Sequence, residues 1–374
     1  MHSGTRLSLC VALLLTVVFV ALAPESTLGQ QTIPPQEQAQ AAVKQFLDTA
    51  GDVGFAIAVW QDSEIVWSEQ WGERDKQQKL PVTSETMFRI GSVTKVMTAT
   101  AAAAMAEHNK FDLDKPIKQY LPDIPAHLAP ITPRQIAGHL SGIRHYDPER
   151  IQQEILIADH FDNQAAALKL FASDPLVHDP GDAYFYSTHA FTVLGAALES
   201  ASEQSMAEVL RERILKPAEM RHTFAEHNEE FSGELAVPYA IYQGQEIIVP
   251  HVDNSWKLAG GGLISTPVDL AKFLGAVADN RLVSAETLAM MLQAQSTNAG
   301  QKTGVGLGWR IAKDSSGRTL IHHGGSAAGG RAFVLLYPKE RIGVAACMNL
   351  AADEVRFDEE LMLKVLSPYL AESK

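Results

Sequence analysis

Apolar and polar positions divide this chain into two β-rich ends and a helical middle. Near the N-terminus the runs VGFAIAVW (53–60) and EIVWSEQW (64–71) flank Gln61-Asp62-Ser63, which reads as a hairpin turn. The far end repeats that grammar. GWRIAKD (308–314), RTLIHHG (318–324), AFVLLYP (332–338) and RIGVAACMNL (341–350) are apolar runs divided by Ser-Ser-Gly, Gly-Gly and Pro-Lys-Glu turns. A short helix is expected over 37–50, where Ala, Gln and Lys surround Val43, Phe46 and Leu47, and an amphipathic helix from Asp353 to Leu370 closes the chain. From Ser92 to Ala278 the pattern is mostly helical, broken by Pro and Gly turns. Within it, Val93–Glu107 is Ala-rich and apolar nearly all round, as a helix buried on every side would be. These elements predict a mixed α/β fold of the α+β type: one antiparallel sheet built from both chain ends, with helices and a helical lobe. A cleft between two such regions is a favoured ligand site.

The first residues follow a different pattern. Arg6 precedes an uncharged run, Leu7–Ala23, ending in Ala21-Leu22-Ala23, which reads as a secretory signal over 1–23. The alternative is a retained membrane anchor. Residues 24–36 (PESTLGQQTIPPQ) read as a polar linker, leaving 37–374 as the folded domain of an exported, periplasmic or secreted protein. The net charge of −13 and the lack of a basic stripe argue against nucleic acid or an anionic membrane as a general partner. Cys10 and Cys347 are the only cysteines, so removal of the signal would leave no internal disulfide. Cys347 lies in an apolar run that suits packing rather than chemistry.

Candidate chemistry begins at Ser92-Val93-Thr94-Lys95. A serine hydroxyl is a weak nucleophile until its proton is taken, and on a helix Lys95 shares a face with Ser92. Burial would lower the lysine's pKa, and the free N–H of Ser92 at the helix opening can hold an oxyanion. Alone the spacing is what chance supplies about once in a chain of this composition. Its setting adds weight, since it follows Gly91 and opens the most apolar helix. Tyr186-Ser187-Thr188 follows the turn Asp179-Pro180-Gly181-Asp182. The Tyr186 hydroxyl can serve as base or proton relay, although Tyr184, Phe185 and Phe191 equally suit an aromatic core. The third element is His322-His323-Gly324-Gly325, whose glycines let substrate approach the strand backbone and whose Gly325 N–H is the candidate second oxyanion donor. Adjacent strand residues point to opposite faces, so the two histidines do not read as a metal site. Two further stretches, GHLSGIRHY (138–146) and VDNSWKLAGGG (252–262), read as cleft loops or as structural turns.

The ordered set Ser92-x-x-Lys95, Tyr186-x-Thr188 and His322-x-Gly324 resembles the class C beta-lactamase and D-Ala-D-Ala carboxypeptidase superfamily of penicillin-recognising serine hydrolases. HLSGIRHY and VDNSWKLAGGGLIST look closest to its serine beta-lactamase-like branch. The resemblance spans roughly residues 35–370. It implies an antiparallel sheet flanked by helices, with an all-helical region across the cleft. It also implies acylation at Ser92, Lys95 as its partner, Tyr186 as general base, and an oxyanion hole from the N–H groups of Ser92 and Gly325. Thr188, His322, His323 and Gly324 would contact substrate. His322 falls where many relatives carry the lysine of K-T-G, and Thr188 where many carry the asparagine of Y-x-N. A permanent charge for a substrate carboxylate is then replaced by a group titrating near neutrality, which points toward esterase or peptidase chemistry over beta-lactam hydrolysis. No cofactor or metal is implied, and the expected partner is a small-molecule or peptide substrate. A silent binding scaffold and a membrane-tethered penicillin sensor are the rival classes.

Overall fold

A computed structural model describes Met1 and residues 33–226, 234–352 and 354–372. The signal expected over 1–23 and most of the 24–36 linker lie outside the described residues, apart from Met1. Pro35 already begins helix α1 (Pro35–Ala50), because proline's fixed φ and missing N–H suit the first helical position. Pro34–Lys374 form one unit, distinct from Met1–Ile33.

The expected strands form one six-stranded sheet. In chain order they are β1 (Phe55–Gln61), β2 (Glu64–Trp71), β3 (Arg310–Lys313), β4 (Thr319–Ala327), β5 (Gly330–Tyr337) and β6 (Ile342–Met348). Their spatial order is β3-β4-β5-β6-β1-β2, antiparallel throughout, so the two chain ends meet where β6 pairs with β1. The near-continuous apolar run of β1 reflects burial of both faces. Phe55, Ile57 and Val59 point outward to α1 and the closing helix α5 (Glu359–Glu372), while Ala56, Ala58 and Trp60 point inward to the helical layer. That inner layer holds α2 (Thr94–Glu107), α3 (Thr188–Ser202) and α4 (Pro267–Ala278). Nearly every residue of α2 is buried, so its lack of an amphipathic stripe is a direct consequence of its place.

Two expectations change. The stretch 92–278 is not purely helical. Leu263–Ser265 pairs with both Phe88–Arg89 and Phe224–Ala225, and Tyr239–Tyr242 forms a hairpin with Gln245–Ile248. Two- and three-residue strands are held by their neighbours and are too short for alternation to show. The closing helix begins at Glu359 rather than Asp353, where the Asp358 carboxylate accepts from the Glu360 N–H and caps the first turn. Cys347 is fully buried in β6, and burial pushes its thiol pKa up, as a packing role requires. Among the described residues no helix is long and apolar enough to cross a membrane.

Candidate active site

Ser92 lies in a single 3-10 turn, Gly91–Val93, that runs directly into α2. Gly91 has φ 48°, and a Cβ there would sit 2.5 Å from the carbonyl oxygen and 2.9 Å from the nitrogen of Ser326. Gly325 is pressed as closely from the other side, since a Cβ would meet the Ile90 carbonyl oxygen at 1.9 Å. Both glycines are therefore needed to seat β4 against the serine turn.

Lys95 lies one helical turn beyond Ser92 and is completely buried. Its Nζ is 3.1 Å from Ser92 Oγ, 3.0 Å from Thr188 Oγ1 and 2.6 Å from the Gly260 carbonyl. It also lies over the rings of Tyr186 and Phe191, at 5.0 and 5.5 Å from their centroids. No carboxylate pairs with it among the described residues. Burial therefore holds its pKa well below the usual lysine value, and the nearby positive charge of Lys257 adds to the effect. Three contacts surround the amine, and the one to Ser92 is the one that can reverse when the nitrogen has lost its proton. In the neutral form two N–H groups can still serve Gly260 and Thr188 while the lone pair accepts from the Ser92 hydroxyl.

Tyr186 packs on the same group. Ser92 and Thr188 lie close enough to its hydroxyl to favour ionisation, yet burial outweighs them and raises its pKa, so it stays a neutral phenol. Its ring packs tilted against His139 at 4.5 Å between centroids, and His323 lies at 6.2 Å. Arg310, exposed at the start of β3, has its guanidinium carbon 5.9 Å from the Tyr186 centroid. Thr188 is buried at the head of α3, where its backbone N–H donates to His145 Nδ1 at 3.2 Å. A cavity of about 930 Å³ opens onto this cluster. Its lining includes Ser92, Tyr186, Thr188 and Lys257, with Ile151 and Ile241 among its apolar residues.

Two sequence expectations on β4 are corrected. Along this strand Ile321 joins the inner core and Leu320 the outer one, so odd positions face inward and even ones outward. His323 therefore faces Lys95 and Tyr186. His322 stacks on Phe333 (5.6 Å) and places Nε2 3.3 Å from Glu359 of α5, on the far side of the strand, where it lines the outer part of the cavity. Neither ring titrates near neutrality. Burial lowers His322 to about 4 and His323 to about 3, so neither is the group titrating near neutrality that the sequence led one to expect. The second correction concerns Gly325. The β4–β5 hairpin closes at Ala327 and Gly330, so alternate residues Ala327, Gly325 and His323 direct their N–H groups at β5. Gly325 is thus committed to the ladder, and the N–H of Ser326 points to the open edge beside Gly91. Gly324 faces outward against Phe333.

Other residues of the site went unassigned at the sequence level, though most fall in the two stretches read as cleft loops. GHLSGIRHY supplies His139 and His145, and VDNSWKLAGGG supplies Lys257 and the Gly260 carbonyl. Arg310 had no local signal.

The fold is a mixed α/β one with an antiparallel sheet, and the site sets a serine and a buried lysine three residues apart at the head of a buried helix. More particularly, the chain belongs to the Beta-lactamase family, whose pattern matches residues 39–367. It is 29% identical to the human mitochondrial serine beta-lactamase-like protein LACTB over 296 residues, covering 62% of this chain and 54% of that protein. The chain thus spans about half the length of the curated relative. Among solved structures it is similar to an octameric penicillin-binding protein homologue from Pyrococcus abyssi, with TM-score 0.76 and 24% identity over 90% of this chain and 77% of that one. The D-amino acid amidase of Ochrobactrum anthropi SV3 also has TM-score 0.76, with 22% identity over 91% of this chain and 99% of that one.

Proposed function

We propose that this protein is a serine hydrolase that cleaves ester or amide bonds of a small-molecule or peptide-like substrate through an acyl-enzyme on Ser92. The observation that carries this reading is the buried, carboxylate-free Lys95 amine 3.1 Å from Ser92 Oγ. As a neutral amine Lys95 takes the hydroxyl proton while Ser92 Oγ bonds to the substrate carbonyl carbon. The carbonyl oxygen becomes an oxyanion, held by the N–H groups of Ser92 and Ser326. The C–O or C–N bond then breaks, and the proton taken by Lys95 reaches the leaving group through the Tyr186 hydroxyl. Water repeats the sequence on the acyl-enzyme, releasing the acid and restoring both residues. Lys95 is the base in this account and Tyr186 the relay, because burial keeps the phenol protonated while it strips the lysine of charge. His323 stands uncharged against Tyr186, which disfavours a reading built on a charged strand residue that binds beta-lactam carboxylates.

An exported location is part of this proposal and rests on the Arg6 and Leu7–Ala23 pattern. The hydrolase reading is tested by intact-mass measurement after mixing with a nitrophenyl ester. A transient acyl adduct that maps to Ser92, and is lost in Ser92→Ala together with turnover, is the expected result. Undiminished turnover in a folded Ser92→Ala protein would remove the assignment.

A further inference from the structure

Lys257 is a charged residue of the cleft that the acyl-transfer chemistry above does not use. It ends the 3-10 turn Ser255–Lys257, immediately before the short helix Leu258–Gly261 whose Gly260 carbonyl holds Lys95. Only 4% of Lys257 is exposed, yet it lines the same cavity as Ser92. Its Nζ lies over the rings of Trp256 and Tyr146, 5.3 and 5.9 Å from their centroids. These aromatic faces steady a cation but leave its charge uncompensated. The acid whose charge acts on it, Glu226, is engaged elsewhere. One oxygen receives Arg89 at 2.6 Å and the other receives the Asn254 amide. Among the described residues no hydrogen bond or ion pair is recorded for the Lys257 amine. A buried cation without an anion is costly unless something supplies the counter-charge.

The surroundings indicate what supplies it. The molecule carries −13 overall, but among the described residues the cavity lining contains Lys257, Arg310 and Arg331 against a single carboxylate, Asp358. Arg331 is occupied by the Ala352 and Val355 carbonyls, and Arg310 sits exposed at the rim. Beyond the charged part the cavity is apolar. Ile151, Ile155 and Leu156 come from one short helix and its end, and Ile241, Ile247 and Val249 from the Tyr239–Ile248 hairpin and the residue after it. Several of these are exposed in the free protein. We propose that Lys257 reads a carboxylate on the substrate, so that the preferred substrate joins a free carboxylate near the scissile bond to an apolar body seated between these two segments. The amine stays mostly charged at neutral pH, since burial lowers its pKa only to about 8. The strand histidines, being neutral, do not compete for that role.

The inference rests on the hydrolase reading but is tested by binding alone. N-benzoylphenylalanine and its methyl ester, equal in apolar body and different in charge, are titrated by calorimetry into Ser92→Ala protein, which does not turn them over. The free acid should bind at least about tenfold more tightly than the ester. Adding Lys257→Met should erase that preference while leaving the ester's affinity within about twofold, and Arg310→Gln should keep the preference. Lys257→Gln serves in its place if the methionine variant does not fold. Equal binding of acid and ester, binding of neither, or a preference that survives the Lys257 change or falls with Arg310→Gln would each overturn the proposal. Failure of the hydrolase reading appears instead as ester turnover that persists in Ser92→Ala, which these titrations do not measure.

Discussion

The two faces of the central sheet are built from the same strands and differ in what they bury. The outer face, under α1 and α5, is nearly all hydrocarbon and aromatic: Phe46, Phe55, Phe357 and Met362 pack there, with His322 and Glu359 at its margin. The inner side buries Lys95, His139, His189, Lys257 and His323, and no acid pairs directly with any of them among the described residues. Their shared environment has a shared consequence. Each is held below its ordinary pKa, chiefly by desolvation. Burial against hydrocarbon on the outer side makes a layer that holds the sheet. Burial of basic groups without counter-ions on the inner side weakens their hold on a proton, strongly at Lys95 and the histidines and least at Lys257, which keeps most of its charge; a weakened lysine is what activation of a serine requires.

The largest expected break of this contrast is Lys95→Arg. Guanidinium keeps its proton in almost any setting, so a fixed charge replaces the neutral amine and the base is lost. kcat/KM on an ester should fall about 10³-fold or more, measured under pseudo-first-order conditions. Activity within tenfold of wild type would show that a neutral amine is not required. Next comes acid stability. His145 and His322 are lowered to about 4, and His189 and His323 to about 3, from 6.5. Between these values and 6.5 the unfolded chain binds protons that the native rings refuse. Stability therefore rises with pH across that window and is lost as pH falls from 6.5. Thermal unfolding should show Tm lower by about 10 °C or more at pH 4.5 than at pH 7. A flat profile would mean the rings are solvated in the native state. A smaller and sharper effect separates the two faces of β4. His323→Gln, beside Tyr186, should reduce kcat by about tenfold, whereas His322→Gln should change it less than about twofold. The reverse result would restore the opposite strand orientation.

Much of this was legible in the sequence, for identifiable reasons. The strands at both ends stand out because each is a continuous apolar run bounded by turn residues, and α2 because a helix buried all round cannot hide its composition. The Ser92 and Lys95 pair stood out because its helical spacing follows Gly91 at the opening of the most apolar helix, with Tyr186 and the His-Gly stretch after it in order. The reading of β4 failed by one residue. In a strand whose period is two, that slip exchanges His322 for His323 and moves the outward N–H from Gly325 to Ser326. Two adjacent histidines and two adjacent glycines offer nothing local to choose between the registers; the hairpin closing at Ala327 and Gly330 does. Lys257 was invisible for another reason. A lysine between Trp256 and Leu258 reads as an ordinary solvated side chain until Tyr146, distant in sequence, is seen to cover it.

The central claim is that Ser92 is activated by a lysine kept neutral through burial. It is tested most directly by the pH dependence of Ser92 labelling by a fluorophosphonate probe, followed by intact mass. The account predicts a rate that rises with pH through one ionisation well below 10.5, levels off above it, and disappears in Ser92→Ala. A rate that is flat, or that rises only with an apparent pKa near 10.5, would contradict it.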